Sequence, residues 1–198
     1  MASRSENLGL RQTQVQTYVS FTSFMTAVVV FFTGLLITQF NTYDISIKVP
    51  ISFLIFSIFG FLYSTLIYTN AAEEISRKRI ERAKKSILLG DIMSEYIGVY
   101  LLVLSIPLVI SVITPDEFLR LITLLASLGG FALYQFSHFS MIERHFRNSY
   151  HLFSAALIAM GIALFAAQSY GIYFVELSAL FLLFIFGLTY IATKKKAE

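Results

Sequence analysis

The chain has 198 residues, 57% hydrophobic and 14% charged, with a mean hydropathy of +0.73 and a formal net charge of +3. Ordinary soluble domains carry roughly 45–50% apolar and about 25% charged residues, so a water-soluble globular core is excluded and the bilayer is the solvent. Zero cysteine removes disulfides, thiolate metal sites, thiol redox chemistry and palmitoylation from consideration.

Crossing a hydrocarbon layer roughly 30 Å thick takes about 20 helical residues. Uncharged runs of that length lie at 18–40, 49–69, 92–113, 115–142, 150–169 and 172–193. They predict an all-α integral membrane protein of six transmembrane helices, arranged as three in-out-in hairpins in one bundle. Residues 1–17 read as a cytoplasmic segment, 18–193 as the transmembrane domain and 194–198 as a basic cytoplasmic tail. The first apolar run is too long for a signal peptide and no A-x-A pattern follows it, so the chain is expected to stay whole.

In lipid, helices associate through close packing of small side chains. Span one offers such a face in Ser20, Ser23, Ala27, Gly34 and Thr38, and a polar one in Thr22, Thr26, Thr33 and Gln39. Span two carries Phe53, Phe56 and Phe59, which meet lipid or fill the bundle. Residues 70–90 read as a basic cytoplasmic helix continuing span two, braced by the i,i+4 pairs Glu74 with Lys78 and Glu81 with Lys85. Its cations Arg77, Lys78, Arg79, Arg82, Lys84 and Lys85 suit anionic lipid headgroups or a partner protein. Gly90 and Asp91 are expected to end that helix and cap span three, placing Asp91 and Glu95 in its first turn.

Pro107 inside span three frees the carbonyl of Val103, a defect Ser105 can compensate. Thr114-Pro115-Asp116-Glu117 reads as a Thr cap, a proline at the first helical position and a capping-box Glu opening span four. In that span, Ser127 to Gly130 marks a small-residue crossing point, and the inner end gathers Tyr134, Gln135, Ser137, His138 and Ser140. Span five presents Ala155, Ala159, Ala163 and Ala167 every fourth residue, a stripe for packing within the bundle or against a second copy. Gly171 provides a left-handed stop before span six, where Phe181 and Phe184 repeat the aromatic theme. The Gly-Tyr pairs Gly60/Tyr63, Gly130/Tyr134 and Gly187/Tyr190 raise the idea of a threefold hairpin repeat.

Only Lys48 and Arg120 of the 15 Lys and Arg fall in the connections opposite the termini, while Asp44, Asp116, Glu117 and Glu176 also lie there. By the positive-inside rule both termini are cytoplasmic, and a plasma membrane location is expected. No charge is expected in mid-membrane, so ion pumps and voltage sensors are disfavoured. A cytoplasmic-side site built from Glu95, Gln135, His138 and Tyr134 is the candidate binding or pathway site. No metal or cofactor is expected. No H-E-x-x-H occurs, and on one helix His138 and His145 would stand about 10 Å apart.

Hydrolase, phosphate-binding, dinucleotide-binding and potassium-filter motifs are absent, and nothing implies nucleic acid. The composition is therefore read as a non-enzymatic channel or facilitator for a small solute with an uncharged polar pathway. A structural subunit of a membrane complex, using the basic arm, is the alternative. An intramembrane enzyme using Glu95 and His138 is the remote one.

Overall fold

The computed structural model describes residues 2–136, 140–146 and 148–194, and His138 and the tail from 195 lie outside them. The chain is helical throughout, with no strand among the described residues. The helices are α1 (Ala2–Thr38), α2 (Lys48–Ser76), α3 (Ile80–Ile92), α4 (Tyr100–Ile113), α5 (Glu117–Phe136), α6 (Met141–His145), α7 (Tyr150–Tyr170) and α8 (Phe174–Lys194). Six helical stretches are long and apolar enough to cross a membrane, as the hydropathy requires. One of them joins α3 and α4 through a π-helical segment, Met93–Val99, into an unbroken run of 34 residues.

That run corrects two expectations. Gly90 does not end a helix and Asp91 does not cap one, because the backbone stays helical through both. Gly90 is instead needed for packing: a Cβ there would fall 2.5 Å from the Tyr68 ring. Of the arm at residues 70–90, only 70–76 continue span two. α2 stops at Ser76, the chain turns through Arg77, Lys78 and Arg79 with Lys78 at φ 60°, and α3 returns. The turn re-pairs the charges as Glu73 with Arg77, Glu74 with Arg79 and Glu81 with Lys84. A small apolar cluster of Val15, Tyr68, Ala71, Ile75 and Ala83 ties this hairpin to α1.

The faces that pack are not the small-residue ones. On α1, Ser20, Ser23, Ala27, Gly34 and Thr38 are exposed, whereas Val15, Thr22, Val29 and Leu36 are buried. These four recur every seventh residue, the spacing that keeps one seam of a helix against its neighbour. The facing helix α2 buries Pro50, Leu54, Ser57, Phe61, Ser64, Tyr68, Ala71 and Ile75, an alternation of fours and threes. On α7, Ala155, Ala159 and Ala163 are exposed and only Ala167 of the stripe is buried; Ser154, Leu157, Gly161 and Leu164 face inward instead. On α5, Gly129 and Gly130 have open space around them, and the contact with α7 is made instead by the buried Leu128, which meets Gly161.

The main core forms where the α3–α4 run meets α2, α5, α7 and α8, around Phe53, Tyr96, Tyr100, Leu101, Leu104, Leu157 and Phe181. The phenylalanines divide by position: Phe53 packs on Phe181 at 5.6 Å between ring centroids, while Phe59 is exposed. Two helices approach closely at Gly60, where a Cβ would fall 2.6 Å from the backbone nitrogen of Gly98. Gly187 has nothing nearby and Gly130 is equally open, so the three Gly-Tyr pairs occupy unlike surroundings.

Span four differs at both ends. Asp116, not Thr114, caps it, its Oδ1 accepting from the Leu119 N–H at 2.9 Å, because helix α5 begins at Glu117. At its other end α5 is described as far as Phe136, Ser140 is not helical, and α6 starts behind it, the Ser140 hydroxyl oxygen accepting from the Ile142 N–H. Gly171 takes the left-handed conformation as expected, at φ 67°. Ser105 donates to the Leu102 carbonyl, not to that of Val103.

Candidate functional site

The site begins with the π-helical segment. A π-turn widens the helix to an i→i+5 bond, here Tyr100 N–H to Glu95 O, and brings side chains five apart onto one side. Glu95 and Tyr100 consequently meet, the Tyr100 hydroxyl donating to Oε1 at 2.5 Å. Ser57 on α2 donates to the Gly98 carbonyl at 2.7 Å, and Ser64 to that of Gly90 at 3.1 Å, so two carbonyls flanking the segment are satisfied from the neighbouring helix.

Glu95 is only 6% exposed, so its side chain points into the bundle and not out to solvent. It lies 18 residues before Ile113, about 27 Å along a straight helix, near the edge of a roughly 30 Å hydrocarbon layer. Its side chain turns into the bundle because three elements offer it donors there. Tyr134 of α5 donates to Oε2 at 2.7 Å, and the Met141 N–H of α6 to Oε1 at 2.8 Å. Ser140 is 3.1 Å from the same oxygen. Tyr100, Tyr134 and the Met141 N–H all donate, matching what a carboxylate can accept.

Gln135, 1% exposed, forms the second tier. Its amide nitrogen donates to the Tyr100 oxygen at 2.7 Å, while its Oε1 accepts from Ser140 at 2.7 Å and from Ser154 at 3.2 Å. The network therefore joins α4, α5, α6 and α7 through buried hydrogen bonds, each stronger inside the bundle than in water. Tyr96 stacks on Tyr100 at 5.5 Å, and its buried hydroxyl has no hydrogen-bond partner among the described residues.

Of the residues expected to form this site, Glu95, Gln135 and Tyr134 come together; His138 lies outside the described residues. Tyr100 and Ser154 were not anticipated. Tyr100 sits five residues after Glu95, a spacing that places two side chains apart on an α-helix and together only on a π-turn. The polar face of span one is spent elsewhere: Thr22, Thr26 and Thr33 donate to carbonyls of their own helix. Gln39 accepts from the Tyr43 hydroxyl. Arg77, Lys78, Arg79, Arg82, Lys84 and Lys85 are all exposed around the α2–α3 turn. Among the described residues no three His, Asp or Glu side chains gather as metal ligands.

A cleft of about 410 Å³ opens beside Glu95, walled by Tyr18, Phe21, Thr22, Tyr68, Asp91, Ser94 and Tyr134. Asp91 accepts from the Tyr68 hydroxyl at 2.6 Å, and the Tyr18 and Tyr68 rings stand 5.3 Å apart. At the far end of the bundle a second polar cavity of about 240 Å³ is lined by Asp44, Ser46, Ser111, Arg120, Gln168 and Ser169. Between the two, Leu101, Leu104 and Leu108 are buried and the bundle is filled.

No known protein family, curated protein or solved structure matches the chain.

Proposed function

We propose that the protein is a non-enzymatic facilitator that carries a small solute across the plasma membrane, with both termini and the α2–α3 turn cytoplasmic. The carrying observation is the Glu95 network at the foot of the cleft: a carboxylate buried inside the bundle, held by Tyr100, Tyr134 and the Met141 N–H and bordering a cavity. Such a group inside a span is expensive to keep and marks a solute or ion path by default. The clustering of Lys and Arg toward the end bearing the termini supports the orientation.

The filled stretch between the cleft and the far cavity favours a carrier open to one side at a time over an open pore. A buried carboxylate also replaces the uncharged pathway with a charged one. Proteoliposomes test this reading. Flux of a panel of small solutes, cations included, is expected to exceed that of protein-free vesicles and to fall at least tenfold in Glu95→Gln. Flux equal to empty vesicles for the whole panel overturns it.

A second reading, a structural subunit docking through the basic turn, is favoured by the apolar cluster that stiffens that turn. Helix α2 and the α3–α4 run exceed a crossing by roughly ten residues, so with the far end at the membrane surface the turn stands clear of the acyl layer. Anionic headgroups or an acidic face of a membrane complex are the partners it suits. A reaction at Glu95 with His138 has no geometry among the described residues to support it.

A further inference from the structure

The polar cavity at the far end of the bundle brings one cation and one carboxylate together with neutral hydrogen-bonding groups. Arg120 enters it from the first turn of α5, and Asp44 and Ser46 from the connection between α1 and α2. Ser111 comes from the last turn of α4, and Gln168 and Ser169 from the end of α7. We propose that this cavity binds a small zwitterion of the α-amino-acid class, its carboxylate on Arg120 and its ammonium on Asp44 and the Ser111, Gln168 and Ser169 oxygens.

The carboxylate is assigned by what Arg120 leaves unused. Its Nε donates to the Thr114 carbonyl at 2.7 Å, which holds the guanidinium in place, and neither Nη has a partner among the described residues. Asp44 lines the same cavity without forming an ion pair with it. A half-buried guanidinium, oriented at one nitrogen and open at the other two, matches a carboxylate through two parallel N–H donors.

The ammonium is assigned by acceptors. Asp44 commits one oxygen to the Ile45 N–H and keeps the other. Ser111 donates to the Leu108 carbonyl and Ser169 to that of Phe165, so each hydroxyl presents its oxygen as an acceptor. The Gln168 nitrogen also donates to the Leu108 carbonyl, at 3.1 Å, and its Oε1 is buried without a partner among the described residues. A buried acceptor left unpaired is costly, and a donor brought within its reach removes that cost.

A simple anion would sit uncompensated beside Asp44, and a simple cation beside Arg120; a zwitterion answers both. At about 240 Å³ the cavity far exceeds the roughly 10–15 Å³ that admits one water, so a molecule of several heavy atoms fits. Val112 is the one apolar side chain lining it among the described residues, so the ligand's own apolar part is short. This inference goes beyond the facilitator reading and does not rest on it, since Leu101, Leu104 and Leu108 separate the cavity from Glu95.

Isothermal titration of the full-length protein in a neutral maltoside detergent at neutral pH tests it. The probes are L-alanine, propionate and ethylammonium, the last two being alanine without its ammonium and without its carboxylate. L-alanine is expected to bind at least tenfold tighter than either. Arg120→Gln is expected to weaken L-alanine at least tenfold. Because Arg120 also holds the Thr114 carbonyl, Asp44→Asn supplies an independent arm: its amide oxygen can still accept from the Ile45 N–H, so only the charge is lost. It is expected to weaken L-alanine at least fivefold and to tighten propionate, whereas a damaged fold would weaken both.

No binding of L-alanine, propionate or ethylammonium binding as tightly, wild-type affinity in both variants, or a parallel loss of propionate in Asp44→Asn overturns the assignment. L-alanine binding with no flux of any solute overturns the facilitator reading and leaves this site standing. Glu95-dependent flux with no L-alanine binding does the reverse.

Discussion

Glu95 and Tyr100, five residues apart on one helix, are hydrogen-bonded side chain to side chain, because the π-turn between them rotates Tyr100 back over Glu95. Tyr100 in turn accepts from the Gln135 amide, so its hydroxyl is the joint between two helices. Tyr100→Phe removes both bonds and leaves the Gln135 nitrogen buried without its acceptor. The expected cost is about 1–3 kcal/mol, read as a lowered thermal midpoint in detergent. Tyr96→Phe, one turn away, deletes a hydroxyl with no partner among the described residues and is expected to be neutral or slightly stabilising. Equal losses in the two variants would mean that the network contributes nothing specific.

The π-turn also depends on α2 lying unusually close. Gly60→Ala places a methyl 2.6 Å from the Gly98 nitrogen, against backbone that cannot rotate away. Overpacking of this kind costs typically about 1–3 kcal/mol. Gly187→Ala, in open space, is expected to be neutral or to stabilise α8 through better helix propensity. Comparing the unfolding midpoints of the two variants checks the helix crossing directly.

Hydropathy was enough to find six spans, because the length of a crossing is set by the bilayer and not by neighbours. Gly171 was legible for a local reason: the chain must turn left-handed there and glycine does so without strain. The polar end of span four supplies Tyr134, which bonds Glu95 directly, and Gln135, which meets it only through Tyr100 and Ser140. What could not be read was relative rotation. A π-turn shifts every residue beyond it, so Tyr100 comes over Glu95 with no change in composition. The seam of Val15, Thr22, Val29 and Leu36 was present in the sequence as a seven-residue period. It was overlooked because small residues, not β-branched ones, were expected at contacts.

That seam gives a test of its own. Val29 is fully buried between α1 and α2, and Val29→Ala opens a void costing about 1–3 kcal/mol. Ala27 lies exposed two residues away, and Ala27→Leu adds bulk toward lipid, with an expected change within about 0.5 kcal/mol. If α1 instead packed through Ser23, Ala27 and Gly34, the order of the two effects would invert.

Orientation is checked by chemistry the chain conveniently lacks. With zero native cysteine, each single-cysteine variant reports one position without background. Asp44, in the connection between α1 and α2, and Lys85, on α3 near the basic turn, are both exposed to solvent and free of any role in the Glu95 network. A membrane-impermeant maleimide applied to intact cells is expected to label Asp44→Cys and to leave Lys85→Cys unlabelled until the membrane is opened. The reason is energetic: near an anionic cytoplasmic leaflet each added cation contributes about 1 kcal/mol, and Arg77, Lys78, Arg79, Arg82 and Lys84 all stand beside Lys85. The opposite labelling pattern would put the Glu95 cleft on the outer face and reverse the direction from which a solute enters it.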